Sequence, residues 1–194
     1  MLMLLPTDRE KLAPPDPRIA RAAAGDRAAA QALLTELLPR VRNLVRYLTR
    51  FDNDVDDITQ LVLVQLVRSF SSYRGEGTLE AWTDRITVRV ALGHVRKRRS
   101  REQQTRDAAP ELRAISGRSE QPDDYSQRRE AVRWLDQLPA EQREAVVLHH
   151  VVGLSAPELA ETLGIAFETA RSRLRLGMGK LREQLEQLAP KEKP

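Results

Sequence analysis

The chain is 194 residues long, 41% hydrophobic and only 4% aromatic, with a formal charge of +4 and a pI near 9.7. That length accommodates one ordinary domain or two small ones, and the basic balance suits a polyanionic partner without demanding one. The absence of cysteine excludes a disulfide framework and thiolate metal sites, three histidines make no metal constellation, and no apolar run reaches the length of a membrane span.

Ala, Leu, Arg, Glu and Gln dominate, and β-branched residues rarely alternate as strands require. The expectation is an all-α protein of two small helical domains joined by a flexible linker. The opening "MLMLLP" is too short for a secretory signal and lacks a basic lead, so a cytoplasmic protein without membrane insertion is expected. Residues 1–17 carry four prolines and no sustained period, and read as a loose leader.

From Arg18 the pattern turns helical. Gly25-Asp26 marks a break, after which Leu33, Leu34, Leu37, Leu38, Val41, Leu44, Val45 and Leu48 form an amphipathic stripe. Pro39 inside it is expected to kink or divide the helix. The stretch "DNDVDDITQLVLVQLVRSF" opens with acids suited to a helix N-terminus. Val55, Ile58, Val62, Leu66 and Phe70 fall on one side as a core face. Asp57, Gln60, Leu61 and Val64 share the other, which fits either a helix buried nearly all round or an apolar docking strip framed by acids.

Gly75 and Gly77 mark a loop, and Thr78 is a candidate N-cap for the helix that carries Trp82, Ile86, Val90 and Leu92. That helix runs into a cationic segment in which Arg85, Arg89, Arg96, Lys97, Arg98, Arg99, Arg101 and Arg106 are opposed by Glu102 alone between residues 85 and 106. Residues 103–128 are polar, with Pro110, Gly117 and Pro122, and read as a linker. A second helical unit spans 129–188, followed by a short tail, 189–194. In it Ser155 and Glu158 form a capping box, Pro157 sits in the first turn, and Gly164 closes the helix before the next begins near Phe167-Glu168. Helix, glycine turn, helix is a helix-turn-helix pattern.

A helix that reads duplex DNA needs polar side chains on one face near its N-terminal end. Glu168, Arg171, Ser172, Arg175 and Gly179 share one side, while Ala170, Leu174, Gly177 and Leu181 share the other. Arginine can hold guanine, glutamate can accept from cytosine, and serine or threonine can grip phosphate. His149 and His150 are adjacent and point about 100° apart on a helix, so a joint metal role is not expected. No nucleophile–base pair, phosphate-binding glycine loop or carboxylate constellation suggests an enzyme.

"LPAEQREAVVLHHVVGLSAPELAETLGIAFETARSRLRLGMGKLRE" resembles the C-terminal promoter-binding domain of bacterial RNA polymerase sigma factors of the extracytoplasmic-function (ECF) class. "DVDDITQLVLVQLVRSFSSYRGEGTLEAWTDRITVRVALGHVRKRRS" resembles the other domain of that class, placing a region 2-like domain over 18–102. The resemblance implies a non-catalytic subunit that needs no cofactor and no metal, directs core RNA polymerase to specific promoters and assists their opening. It implies that Asp54, Asp57, Gln60, Leu61 and Val64 dock on the clamp helices of core polymerase. Arg74, Gly75, Thr78, Trp82, Arg85, Arg89, His94, Arg96 and Arg99 would receive and open the minus-ten element. Glu168, Thr169, Arg171, Ser172, Arg173 and Arg175 would read the minus-thirty-five element. An anti-sigma factor is the further partner implied, with the apolar strip and the linker as its contacts.

The chain departs from the family pattern in places. Leu61 and Leu63 stand where glutamate and phenylalanine are usual, which leans docking toward apolar contact. They also support the rival expectation of a DNA-binding regulator that no longer recruits polymerase. Val88-Arg89 and Gly93 replace an Arg-Asn pair and an aspartate, and "LGMGK" replaces an arginine-rich helix end. Gly177 and Gly179 each cost about 1 kcal/mol in a helix relative to alanine. They predict weaker or more adaptable upstream binding, or, for Gly177, close helix packing.

Overall fold

The computed structural model describes residues 16–49, 54–108 and 126–188, and every regular element among them is helical. The leader through residue 15, the segment 109–125 and the tail lie outside the described residues. Helix α1 (Pro17–Ala23) is capped by Asp16, whose carboxylate accepts the Arg18 N–H at 2.8 Å. Asp26 does the same for α2 (Arg27–Leu48), accepting from Ala28 and Ala29 at 3.0 and 3.1 Å, which satisfies amide groups that a helix start leaves without internal partners.

The stripe on α2 is buried as expected at Leu33, Leu37, Val41, Leu44, Val45 and Leu48, whereas Leu38 is exposed. Pro39 does not divide the helix, contrary to the sequence expectation: α2 continues through it as one element. Pro39 and Thr35, whose carbonyl loses its partner, both lie on the exposed side, where a missing bond costs less than in the core. The core contacts of Leu37 and Val41 on either side hold the register.

α3 (Val55–Ser69) buries Val55, Ile58, Val62 and Leu66, and a 3-10 turn (Phe70–Ser72) buries Phe70. Thr78 caps α4 (Leu79–Ala108), accepting the Ala81 N–H at 3.1 Å. This helix runs six residues past 102, so the cationic segment is helical throughout. α2, α3 and α4 pack around their shared apolar faces, tied by a two-pronged Arg40–Asp84 bridge at 2.8 and 2.7 Å. Asp84 is buried, and this bridge satisfies both carboxylate oxygens.

The second unit comprises α5 (Ser126–Asp136), α6 (Ala140–His150), α7 (Ala156–Leu163) and α8 (Phe167–Leu188). Glu158 closes the expected capping box, its carboxylate accepting the Ser155 N–H at 2.8 Å and the Ser155 hydroxyl at 2.5 Å. Gly164 ends α7 at φ +66°, a conformation costly for residues with a Cβ. Its N–H donates to Glu161 O, and the Ile165 N–H donates to Ala160 O. This is the reciprocal pattern that terminates a helix and fixes the exit angle of the next chain segment.

Gly177 faces α6: a Cβ there would sit 2.7 Å from Val146 Cγ2 and 3.3 Å from the Gln142 carbonyl oxygen. Between the two sequence readings, the structure selects close packing at this position. Gly179 faces open space and has no such role.

Candidate nucleic-acid interface

The Gly164 turn presents the first turns of α8 to solvent. Glu168, Thr169, Arg171 and Arg175 are exposed, while Ser172 is half-buried. Arg173 is also half-buried: it follows the buried Ala170 by three residues, on the flank of the packed side, so the structure separates it from the reading face. Arg171 is held from two directions. Its guanidinium lies 5.6 Å from the centre of the Phe167 ring, and Nη1 is 3.3 Å from Glu168 Oε1. Phe167, named from the sequence only as the start of this helix, therefore positions a cation at the end of the helix that best enters a major groove. Its one-turn spacing from Arg171 is the signal that could have found it.

Ahead of α4, the Tyr73 hydroxyl donates to the Gly77 carbonyl at 2.9 Å and pins the 73–78 loop. The Tyr73 ring meets Trp82 edge-on at 5.4 Å, and Trp82 stacks on Phe70 at 6.0 Å. Trp82 is thus half-buried as the support of the loop rather than a free stacking surface, because two aromatic neighbours already cover it. Arg74 and Thr78 are exposed and Gly75 is half-exposed. The signal for Tyr73 and Phe70 was their closeness to the glycine loop.

Arg85, Arg89, Arg96 and Arg99 share one side of α4 at helical spacing. His94 does not join them. It follows the buried Thr87 by seven residues, two helical turns, and is half-buried on the side turned toward the bundle. The arginine side meets the second helical unit. Arg96 Nη2 donates to the Leu163 carbonyl at the end of α7 at 3.2 Å. Arg99 Nη2 donates to Glu144 on α6 at 2.8 Å, with Glu141 at 3.7 Å. Glu144 is buried, which pushes its carboxyl above the ordinary range, and the Arg99 charge offsets part of that.

Beside Glu144, Arg143 is 1% exposed. Its Nε donates to Tyr47 O at 2.6 Å and its Nη2 to Arg46 O at 2.8 Å, while Nη1 pairs with Asp136. Tyr47 and Arg46 lie in the last turn of α2, where carbonyls lack internal partners and carry the negative end of the helix dipole. Arg143 was not singled out from sequence because its partners lie 96 and 97 residues away.

In the first bundle, Asp57, Gln60, Leu61 and Val64 lie together on the exposed face of α3. Leu61 is 51% and Val64 48% exposed, with Val67 continuing the strip. This excludes the reading in which α3 is buried all round. Asp54 is not part of the strip: it is half-buried and ion-paired with Arg98 of α4. A shallow groove lined by Leu34, Leu38 and Leu63 opens between α2 and α3.

Residues 33–101 match the family model "Sigma-70 region 2", and residues 128–181 match "Sigma-70, region 4". The ECF RNA polymerase sigma factor SigM of Mycobacterium tuberculosis is 30% identical over 152 residues, covering 77% of this chain and 74% of the relative. The chain belongs to the ECF class of RNA polymerase sigma factors. This sigma factor is also 35% identical over 170 residues to the ECF sigma factor SigE of Mycolicibacterium smegmatis, covering 84% of this chain and 65% of that relative's length. Against the sigma factor SigZ of Bacillus subtilis the identity is 29% over 147 residues, covering 74% and 81%.

The fold is shared with the sigma factor RpoE of Bartonella quintana, solved in complex with the anti-sigma factor NepR, at a TM-score of 0.59 and 26% identity over 80% of this chain and 96% of that one. CnrH, solved in complex with the cytosolic domain of CnrY, resembles it in fold at a TM-score of 0.53 and 22% identity, covering 89% and 97%. No described helix of this sigma factor is long and apolar enough to cross a membrane.

Proposed function

We propose that this chain acts in the cytoplasm as a non-catalytic initiation subunit: it binds the clamp helices of core RNA polymerase, brings the enzyme to specific promoters and assists their opening. The observation that carries the reading is the pairing, in one chain, of an outward apolar strip on α3 with a helix-turn-helix whose reading face carries Arg171 and Arg175. In an isolated DNA-binding regulator, Leu61 and Val64, at 51% and 48% exposure, would be apolar area left in water without a partner. In this reading polymerase would take that strip, the minus-ten element the 73–78 loop and the α4 arginines, and the minus-thirty-five element α8. Phosphates would be tracked by Arg85, Arg89, Arg96 and Arg99. An anti-sigma factor is the natural regulator, with the strip and the neighbouring α2–α3 groove as its contacts.

Co-purification of the tagged chain with bacterial core polymerase tests the docking face. Wild type is expected to retain the enzyme. Both residues are on an exposed face; Leu61→Arg should leave the fold intact, and Asp57→Arg should cost it only about 1 kcal/mol by setting a cation in the first turn of α3. Each should lower retention by roughly ten-fold or more, since a charge placed in the centre of an interface is left unpaired. Equal retention by all three proteins would place polymerase elsewhere.

A further inference from the structure

The exposed face of α3 carries a stripe that is complementary to itself. Asp57, Leu61, Val64 and Arg68 follow one another at spacings of four, three and four residues. That spacing sets them within about 60° of arc along roughly 16 Å of helix. All four are exposed, and Leu61 and Val64 form the apolar middle. Asp57 lies in the first turn and Arg68 in the last, so the stripe reads acid, two aliphatics, base. The adjacent Asp56 is bonded to Arg42 of α2, whereas among the described residues Asp57 and Arg68 have no ion-pair partner.

Asp57 and Arg68 stand equally far from the point between residues 62 and 63, and so do Leu61 and Val64. A second α3 laid antiparallel across that point meets Asp57 with Arg68 and Leu61 with Val64, and two-fold symmetry makes each contact occur twice. A parallel pairing would instead set Asp57 against Asp57 and Arg68 against Arg68, and like charges in contact oppose it. The antiparallel order also brings each helix start beside the other's end, where their dipoles attract.

We propose that the α3 stripe binds a second copy of this chain as an antiparallel, two-fold helix pair. Leu61 and Val64 supply the apolar contact, and the two Asp57–Arg68 pairs fix direction and register. Three turns of helix cover less than the area of about 1,200 Å² at which stable complexes begin, so the pair is weak and transient. It forms where the chain is concentrated and leaves the strip open where the chain is dilute. Polymerase seated on Leu61 and Val64 would exclude the second copy. That exclusion rests on the docking reading, whereas the pairing itself does not.

Sedimentation velocity of the full chain at low salt, from low micromolar to submillimolar concentration, reads the pairing with no ligand present. Wild type is expected to sediment faster as concentration rises, and less so at high salt. Asp57→Arg and Arg68→Asp each set like charges against one another at both ends of the pair, and each should weaken self-association about ten-fold or more. A one-to-one mixture of the two variants restores arginine against aspartate at both ends and should associate about as tightly as wild type. The chain carrying both substitutions should do the same, and circular dichroism of each variant should match wild type.

A wild type that stays monomeric throughout, or single variants that associate as it does, overturns the proposal. So does a mixture no tighter than its separate, folded components. Polymerase retention by the wild type would survive that failure. Failure of the docking reading would instead abolish retention and leave self-association as measured.

Discussion

Gly177→Val is expected to destabilise the C-terminal unit by about 1–3 kcal/mol, the usual range for forcing extra carbon into a packed interface. The first added atom alone would lie 2.7 Å from Val146 Cγ2 and 3.3 Å from a backbone oxygen of Gln142. The valine can give way only by disturbing the α6 core, and the backbone cannot give way without moving the helix. Because α8 presents the reading face, the loss reaches function through geometry: duplex binding falls although no DNA-contacting side chain has changed. Gly179→Ala is the counterpart. Nothing lies within 4 Å of the added carbon, so replacing glycine in a helix interior should raise stability by up to about 1 kcal/mol. Thermal unfolding of the two variants beside wild type checks both signs, and opposite shifts are expected from two glycines a half-turn apart.

Arg171→Ala should cost about 1–3 kcal/mol of base discrimination, from about five-fold to about 150-fold in affinity for the cognate upstream duplex. Arg171 stands in the first turns of α8, exposed, and steadied by Phe167 and Glu168. A cation held in one orientation loses less freedom on binding than a loose one. The loss should be confined to the cognate sequence, with binding to a scrambled duplex little altered. Equal losses on both duplexes would make Arg171 a phosphate anchor. Competition binding at fixed salt separates the two, since phosphate contacts carry the salt dependence.

Local signals in the sequence carried much of the fold. The Ser155–Glu158 capping box, the Gly164 stop, the Thr78 cap and the buried stripe of α3 each depend on residues within a few positions of one another, and each forms as expected. Expectations that weighed one local rule against tertiary packing fared differently. Pro39 removes a hydrogen bond wherever it stands, yet core contacts on both sides of it keep α2 whole.

At the candidate site, the exposed Asp57, Gln60, Leu61 and Val64 strip and the Arg171 and Arg175 face follow from helical spacing. His94 and Arg173 also sit in arginine-rich stretches, but their angular positions turn them toward packed sides. Asp54 is diverted into a bridge with Arg98, and Trp82 into an aromatic support. The Arg143 contact was not legible at all: an arginine in a helix is ordinarily solvated, and its carbonyl partners carry no side-chain signature.

The central claim is that this chain confers promoter choice on RNA polymerase. Transcription by purified core enzyme on fragmented genomic DNA of the source organism, with and without the chain, tests it most directly, with start sites mapped on the products. The account predicts a small set of start sites that appear only when the chain is present, share an upstream sequence pair, and disappear with Leu61→Arg. Start sites unchanged by adding the chain, under conditions where core polymerase retains it, would contradict the account.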